Sequence, residues 1–204
     1  MRNTSNDLIA LPESAKGDPS SLESILVQRA SVREFRRKPL SLAQVGQLLW
    51  AAQGINRPGG YRTAPSAGAL YPLEVLVAAG QVSELKPGVY RYHPREHALA
   101  LLGAGDVRAD LAAAALDQTW MSDAPVVFVI TAVFERNTVK YGQRGYRYVY
   151  MEVGHTSQNI YLQAAALGLG TVAVGAFYDT RVQQILSLPG SEQPLCLMPT
   201  GLPA

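Results

Sequence analysis

Cysteine is nearly absent from this chain: Cys196 stands alone among 204 residues. No disulfide can form within one copy, which suits a reducing compartment. Long apolar runs are missing too. The longest, Ala124 to Phe134, falls far short of the roughly 20 residues a membrane helix needs. Leu8-Ile-Ala-Leu11 is too short for the apolar region of a secretion signal. A soluble, cytoplasmic protein is therefore expected, with no membrane as partner. Charge of one sign is also scarce. The net charge is +2 with 17% charged residues, which argues against nucleic acid as a partner. Histidine is rare: His93 and His97 bracket a turn, His155 stands apart, and no cysteine or carboxylate pattern joins them into a metal site. There is no phosphate-binding Walker loop and no Gly-x-Ser-x-Gly nucleophile elbow. Internal repeats and low-complexity tracts are lacking.

What is present is core material, 48% hydrophobic residues, in a length that fits one domain. Residues 1–17 are polar and mixed and read as a loose arm, leaving residues 18–204 as the folded unit. Asp18-Pro19 reads as the start of a first helix ending near Ala30. Ser41-x-x-Gln44 is a capping box, opening a second helix that Gly54 closes. Residues 54–72 read as loop and Leu73–Ala79 as a buried strand. Gly88–Tyr92 and Ala98–Leu102 form a hairpin pattern. An Ala-rich helix over Val107–Asp117, a buried strand over Val126–Phe134 and a long helix from Tyr146 to Leu167 follow. Gly168-Leu-Gly170 stops that helix. Thr171–Val174 reads as a short strand, Thr180–Leu188 as a helix and Pro194–Met198 as a last strand. The pattern is α+β, a mixed central sheet flanked by helices.

Three segments carry chemistry. In Arg29-Ala-Ser-Val-Arg33, alternate residues of an extended chain point the same way, so Arg29, Ser31 and Arg33 can converge on a phosphate monoester. The same residues also suit a solvated helix end. The loop Arg62-Thr-Ala-Pro-Ser-Ala-Gly-Ala-Leu-Tyr-Pro72 puts small side chains at Ser66, Ala67, Gly68 and Ala69, so its backbone can lie against something planar. Gly68 also permits positive φ. The third segment runs from Gly154-His-Thr-Ser-Gln-Asn159 to Val174-Gly-Ala-Phe177. Packing explains Gly168 and Gly170 there, but is less natural for Gly175.

Four segments together carry a resemblance. They are Arg29-Ala-Ser-Val-Arg-Glu-Phe35, Arg62–Pro72, Lys140-Tyr-Gly-Gln-Arg-Gly-Tyr-Arg-Tyr148, and Glu152-Val-Gly-His through Gly175-Ala-Phe177. In these the chain resembles the nitroreductase superfamily of FMN-dependent oxidoreductases, and within it the SagB-type branch that includes azoline dehydrogenases. The resemblance implies an intertwined homodimer with FMN at the interface. It matches Arg29, Ser31 and Arg33 to the phosphate contacts. Pro65, Ser66, Ala67, Gly68 and Ala69 match a loop that reaches the isoalloxazine of the other subunit, and Val174, Gly175 and Ala176 match a strand end beside the ring. Relatives often add a basic residue near the C-terminus; Leu202 cannot fill that role, and Arg62 is the candidate replacement.

The resemblance leaves the substrate open. An NAD(P)H-driven, ping-pong reduction of nitroaromatic or quinone-like compounds is expected first. The second possibility is azoline-to-azole dehydrogenation, in which Lys140 and Tyr141 would be catalytic: a lysine with its pKa lowered by burial takes a carbon-bound proton and a tyrosine assists. Both residues equally suit an exposed basic loop. The compact chain shows no long N-terminal region for leader-peptide recognition, which weighs against the second. A non-catalytic FMN-binding subunit or carrier is the third.

Overall fold

The computed structural model describes Asp18 and residues 21–204. The arm assigned to residues 1–17 and the placement of Pro19 lie outside the described residues. The first helix, α1, spans Leu22–Gln28, and its N-cap is Ser21, whose hydroxyl accepts the Ser24 N–H. Asp18 is not the cap; its carbonyl accepts the Ser21 N–H instead. The second helix, α2, spans Leu42–Gln53 and opens on the expected capping box, with Ser41 and Gln44 exchanging hydrogen bonds.

A small hairpin, β1 (Ile55–Arg57) and β2 (Tyr61–Arg62), occupies part of the segment read as loop. Six further strands make the main sheet: β3 (Leu73–Ala79), β4 (Gly88–His93), β5 (Ala98–Ala104), β6 (Val126–Ala132), β7 (Gly170–Thr171) and β8 (Gln193–Gly201). Their order is β5-β4-β3-β6-β8-β7. Every pairing between them is antiparallel, where a mixture of directions was expected. Short links between β3, β4 and β5 leave those strands no room for a parallel crossover. Among the described residues parallel pairing is confined to single bridges, Ser31 with Thr171 and Leu40 with Val82.

The central strands β3 and β6 are buried on both faces, which explains their unbroken apolar sequence. Val75, Val77, Phe128 and Ile130 face α2 and the 23-residue helix α5 (Arg144–Ala166). Their alternates Leu76, Ala78, Val127 and Val129 face α3 (Arg108–Ala114) and α6 (Asp179–Ile185). Helix α5 ends as the glycines foretold. The Gly168 N–H bonds the Ala165 carbonyl and the Leu169 N–H the Ala164 carbonyl, with Gly168 at φ +67°.

Helix α4, Glu135–Tyr141, lies where the basic segment was read as loop. It buries only Asn137, so it has no apolar stripe to betray it. No described helix is long and apolar enough to cross a membrane.

Candidate functional site

Tyr161 on α5 gathers two of the expected segments. Its hydroxyl oxygen accepts the Ala173 N–H at 2.8 Å and lies 3.1 Å from Ser31 Oγ. Having accepted from Ala173, the phenol has its own hydrogen free for Ser31. The Arg29 guanidinium sits 5.1 Å from the centre of the Tyr161 ring, a cation–π contact. The chain after α1 is extended and tied to β7, with the Val32 N–H on the Thr171 carbonyl at 3.0 Å. That approach requires Gly170, because a Cβ there would fall 2.6 Å from the Val32 side chain. Arg33 is exposed and forms no ion pair among the described residues.

Beyond Ala173, Val174 pairs both ways with Leu197, and the strand then stops. Only Gly170 and Thr171 belong to β7, so the expected strand over Thr171–Val174 is realised as two residues and an isolated bridge. Gly175 and Ala176 are exposed, and no described group accepts a hydrogen bond from either N–H. A Cβ at Gly175 would meet nothing within 4 Å, so packing does not explain this glycine. Two guanidinium groups, a hydroxyl and two unpaired N–H groups thus flank one edge of the sheet.

The small-residue loop lies elsewhere on α5. Ser66 Oγ accepts the Tyr71 N–H at 2.9 Å, and Ala67–Ala69 form a 3-10 turn. Gly68, Ala69 and Tyr71 all have positive φ, at 64°, 54° and 48°, so a strained backbone is held in place by its surroundings. Pro65, Gly68 and Ala69 are exposed. Gly68 is adjacent to the basic helix: a Cβ there would lie 2.6 Å from the Tyr141 hydroxyl and 2.9 Å from Lys140 Nζ. Lys140 and Tyr141 are thus brought to the loop, though 72 residues separate Gly68 from Lys140. The Tyr141 ring stands edge-on to Tyr148, with centroids 5.0 Å apart.

Arg62 is engaged by this loop. Its guanidinium donates to Gln53 Oε1 at 2.8 Å and lies 4.5 Å from the Tyr71 ring centre, while Gln53 donates to Thr156 on α5. Burial lowers its pKa, with Glu74 opposing. Arg62 therefore organises the loop and does not join Arg29 and Ser31 within the chain. Leu202 packs against the core, and its carbonyl accepts the Arg36 N–H.

Sequence reasoning missed Tyr161 and Glu152 as site residues. Each sits in a quoted helix, but nothing in the helical spacing distinguishes them from packing residues. Glu152 is buried at 4% exposure and receives the Ala67 N–H at 2.9 Å. Burial raises its pKa, while hydrogen bonds from Ala67, Ser66 and Asn137 and the nearby His155 pull the other way. An apolar cavity of about 280 Å³ opens beside it, lined by Pro65, Tyr148, Met151 and His155. Among the described residues no cluster of histidine, cysteine and carboxylate groups can hold a metal ion.

The fold and these two groupings define an α+β protein with a sheet edge that carries Arg29, Ser31 and unpaired backbone N–H groups, and a strained, small-residue loop. The chain belongs to the nitroreductase family, whose profile matches residues 26–202, and is thereby an oxidoreductase by class. MJ1384 of Methanocaldococcus jannaschii, whose name places it among nitroreductases, is 48% identical over 180 residues, covering 88% of this chain and 90% of that one. A crystal structure of a nitroreductase-family protein from Ralstonia eutropha JMP134 superposes with a TM-score of 0.81 at 34% identity, covering 100% of this chain and 92% of that one. The microcin B17-processing protein McbC of Escherichia coli is 30% identical over 160 residues, 74% of this chain but only 58% of McbC.

Proposed function

We propose that this chain is an FMN-dependent oxidoreductase that works as a homodimer with FMN between the copies. It takes electrons from NAD(P)H and passes them, in ping-pong order, to nitroaromatic or quinone-like compounds. The observation that carries the reading is the convergence on Tyr161 of Arg29, Ser31 and the strand end at Ala173. These residues fit the group. Arg29, Arg33 and Ser31 supply forked donors and a hydroxyl for a phosphate, and the free N–H groups of Gly175 and Ala176 can donate to ring heteroatoms beside an open surface. FMN held there supplies two-electron redox chemistry. The chain's part is to grip the phosphate, present dipoles to the ring edge and cover the site with the 65–69 loop of the other copy. A dimer is supported by exposed apolar side chains on three helices, among them Leu22, Leu26, Val139, Tyr150 and Met151.

A second reading, azoline-to-azole dehydrogenation, is favoured by one observation: Lys140 and Tyr141 lie against Gly68, and McbC is a relative. In this reading Lys140 Nζ accepts a carbon-bound proton and the Tyr141 hydroxyl holds the substrate. Lys140 is exposed, so the second copy or the substrate itself must bury it.

Anaerobic titration tests both. Rapid bleaching of protein-bound FMN by NADPH or NADH supports the first reading. Bleaching by a thiazoline-bearing peptide but not by nicotinamides supports the second. Bound FMN that neither donor reduces rejects both and leaves a carrier. Arg29→Ala should weaken FMN by roughly tenfold or more while leaving riboflavin unchanged, the loss of a charge-assisted contact.

A further inference from the structure

The 3-10 turn of the loop is capped from a distance. Its own N-cap, Ser66, makes no capping bond, because its hydroxyl accepts the Tyr71 N–H. The first N–H of the turn, that of Ala67, would be left unpaired at a partly buried position, which is costly. Glu152 Oε1 takes it at 2.9 Å. The same oxygen lies 3.4 Å from Asn137 Nδ2 on α4, the one fully buried polar side chain of that helix. Three residues further along α4 stands Lys140, then Tyr141, and both meet Gly68. One turn along α5 from Glu152, Thr156 receives Gln53, which receives Arg62 at the other end of the loop. The loop is therefore fastened to α5 at two points on one helical face, and the Glu152 point also grips α4 next to the first N–H of the turn. At the far end of the loop Arg136 of α4 donates to the Tyr71 carbonyl at 2.9 Å.

We propose that Glu152 is the positioning residue of this site: through Oε1 it holds the Ala67 N–H and the Asn137 amide together, and so sets the spacing between Gly68 and the Lys140–Tyr141 pair. This rests on the reading that the loop and that pair belong to one active site. Glu152 touches neither substrate nor cofactor in this role. A carboxyl group suits it because one oxygen accepts several donors. A glutamine keeps a carbonyl oxygen of the same reach, whereas alanine removes the acceptor altogether.

Amide hydrogen exchange on the purified full chain provides the test, with FMN titrated separately. In Glu152→Ala, exchange at Ala67 should accelerate by roughly tenfold or more, the loss of a hydrogen bond to a charged group. The rate at which an amine-acylating reagent labels Lys140 should change in the same variant. Glu152→Gln should return both towards wild type. Amides of β3 and β6 should be unaffected in either. Wild-type exchange at Ala67, or unchanged labelling of Lys140, in Glu152→Ala overturns the proposal. So does an equal acceleration across β3 and β6, which would make Glu152 an ordinary core residue. FMN uptake by the wild type judges the underlying reading independently, since the exchange measurement needs no flavin.

Discussion

Gly68 and Tyr141 are in contact: there is no room between them for a methyl group, which would lie 2.6 Å from the phenol oxygen. Gly68 also holds φ at +64°. Gly68→Ala therefore meets two obstacles. The left-handed conformation costs roughly 1–2 kcal/mol with a Cβ, and Tyr141 must turn away from Tyr148. The expected outcome is a melting temperature lowered by a few degrees, with FMN binding weakened and any Lys140-dependent turnover lost. Calorimetry and a flavin titration on one sample check this.

Tyr161→Phe keeps the ring beneath Arg29 and deletes the oxygen shared by Ser31 and Ala173. The Ala173 N–H then loses its acceptor at an exposed position, where water replaces it. The fold is therefore little affected, and the loss, about 1 kcal/mol, falls on the ordering of Ser31 and Ala173 for a ligand. FMN affinity should fall by about fivefold with little change in stability. Tyr161→Ala should cost more, because the Arg29 contact goes as well. Fluorescence titration of FMN with both variants separates the two contributions.

Gly175→Val adds a side chain where nothing lies within 4 Å. The fold should be undisturbed and the melting temperature of the flavin-free chain unchanged. FMN should nonetheless fail to bind, because the space above the free N–H groups is filled. A variant that binds FMN normally would remove Gly175 from the site.

Burial pushes the Tyr92 phenol up to about 12 and the Cys196 thiol up to about 11. In both, the fold favours the protonated form. Their contributions are complete below the ordinary values of 10.0 and 9.0 and are lost as pH rises through the raised ones. Stability should therefore fall across the alkaline range, and Tyr92→Phe should flatten its upper part. Cys196 should resist alkylation at neutral pH until the chain unfolds. Glu152 carries the same sign lower down: its contribution fades as pH climbs above 4.5, and Glu152→Gln should remove that slope. Thermal melts across pH, with thiol trapping alongside, measure all three.

Much of the fold was legible in local chemistry. The Ser41 box, the Gly168 terminus and the runs at β3 and β6 each announce themselves within a few residues, since caps and buried strands are fixed by neighbours in the chain. Helix α4 was not legible, because one buried side chain leaves no period to read. The antiparallel course of β8 was equally hidden: its pairing with β6 joins residues some seventy positions apart. Asp18-Pro19 is a strong local start signal, yet the hydroxyl that reaches the first turn belongs to Ser21.

By itself the sequence determined which residue types can grip a phosphate, Arg29, Ser31 and Arg33, and which backbone can bend as the 65–69 loop does, since both follow from side-chain chemistry and φ preference. Only the tertiary structure decided what those groups face. Helix α5 carries Tyr161 to Ser31 and Ala173, and Glu152 to Ala67, while α4 brings Lys140 and Tyr141 against Gly68. Such encounters depend on how helices pack across a shared sheet, and no spacing along a single chain encodes that.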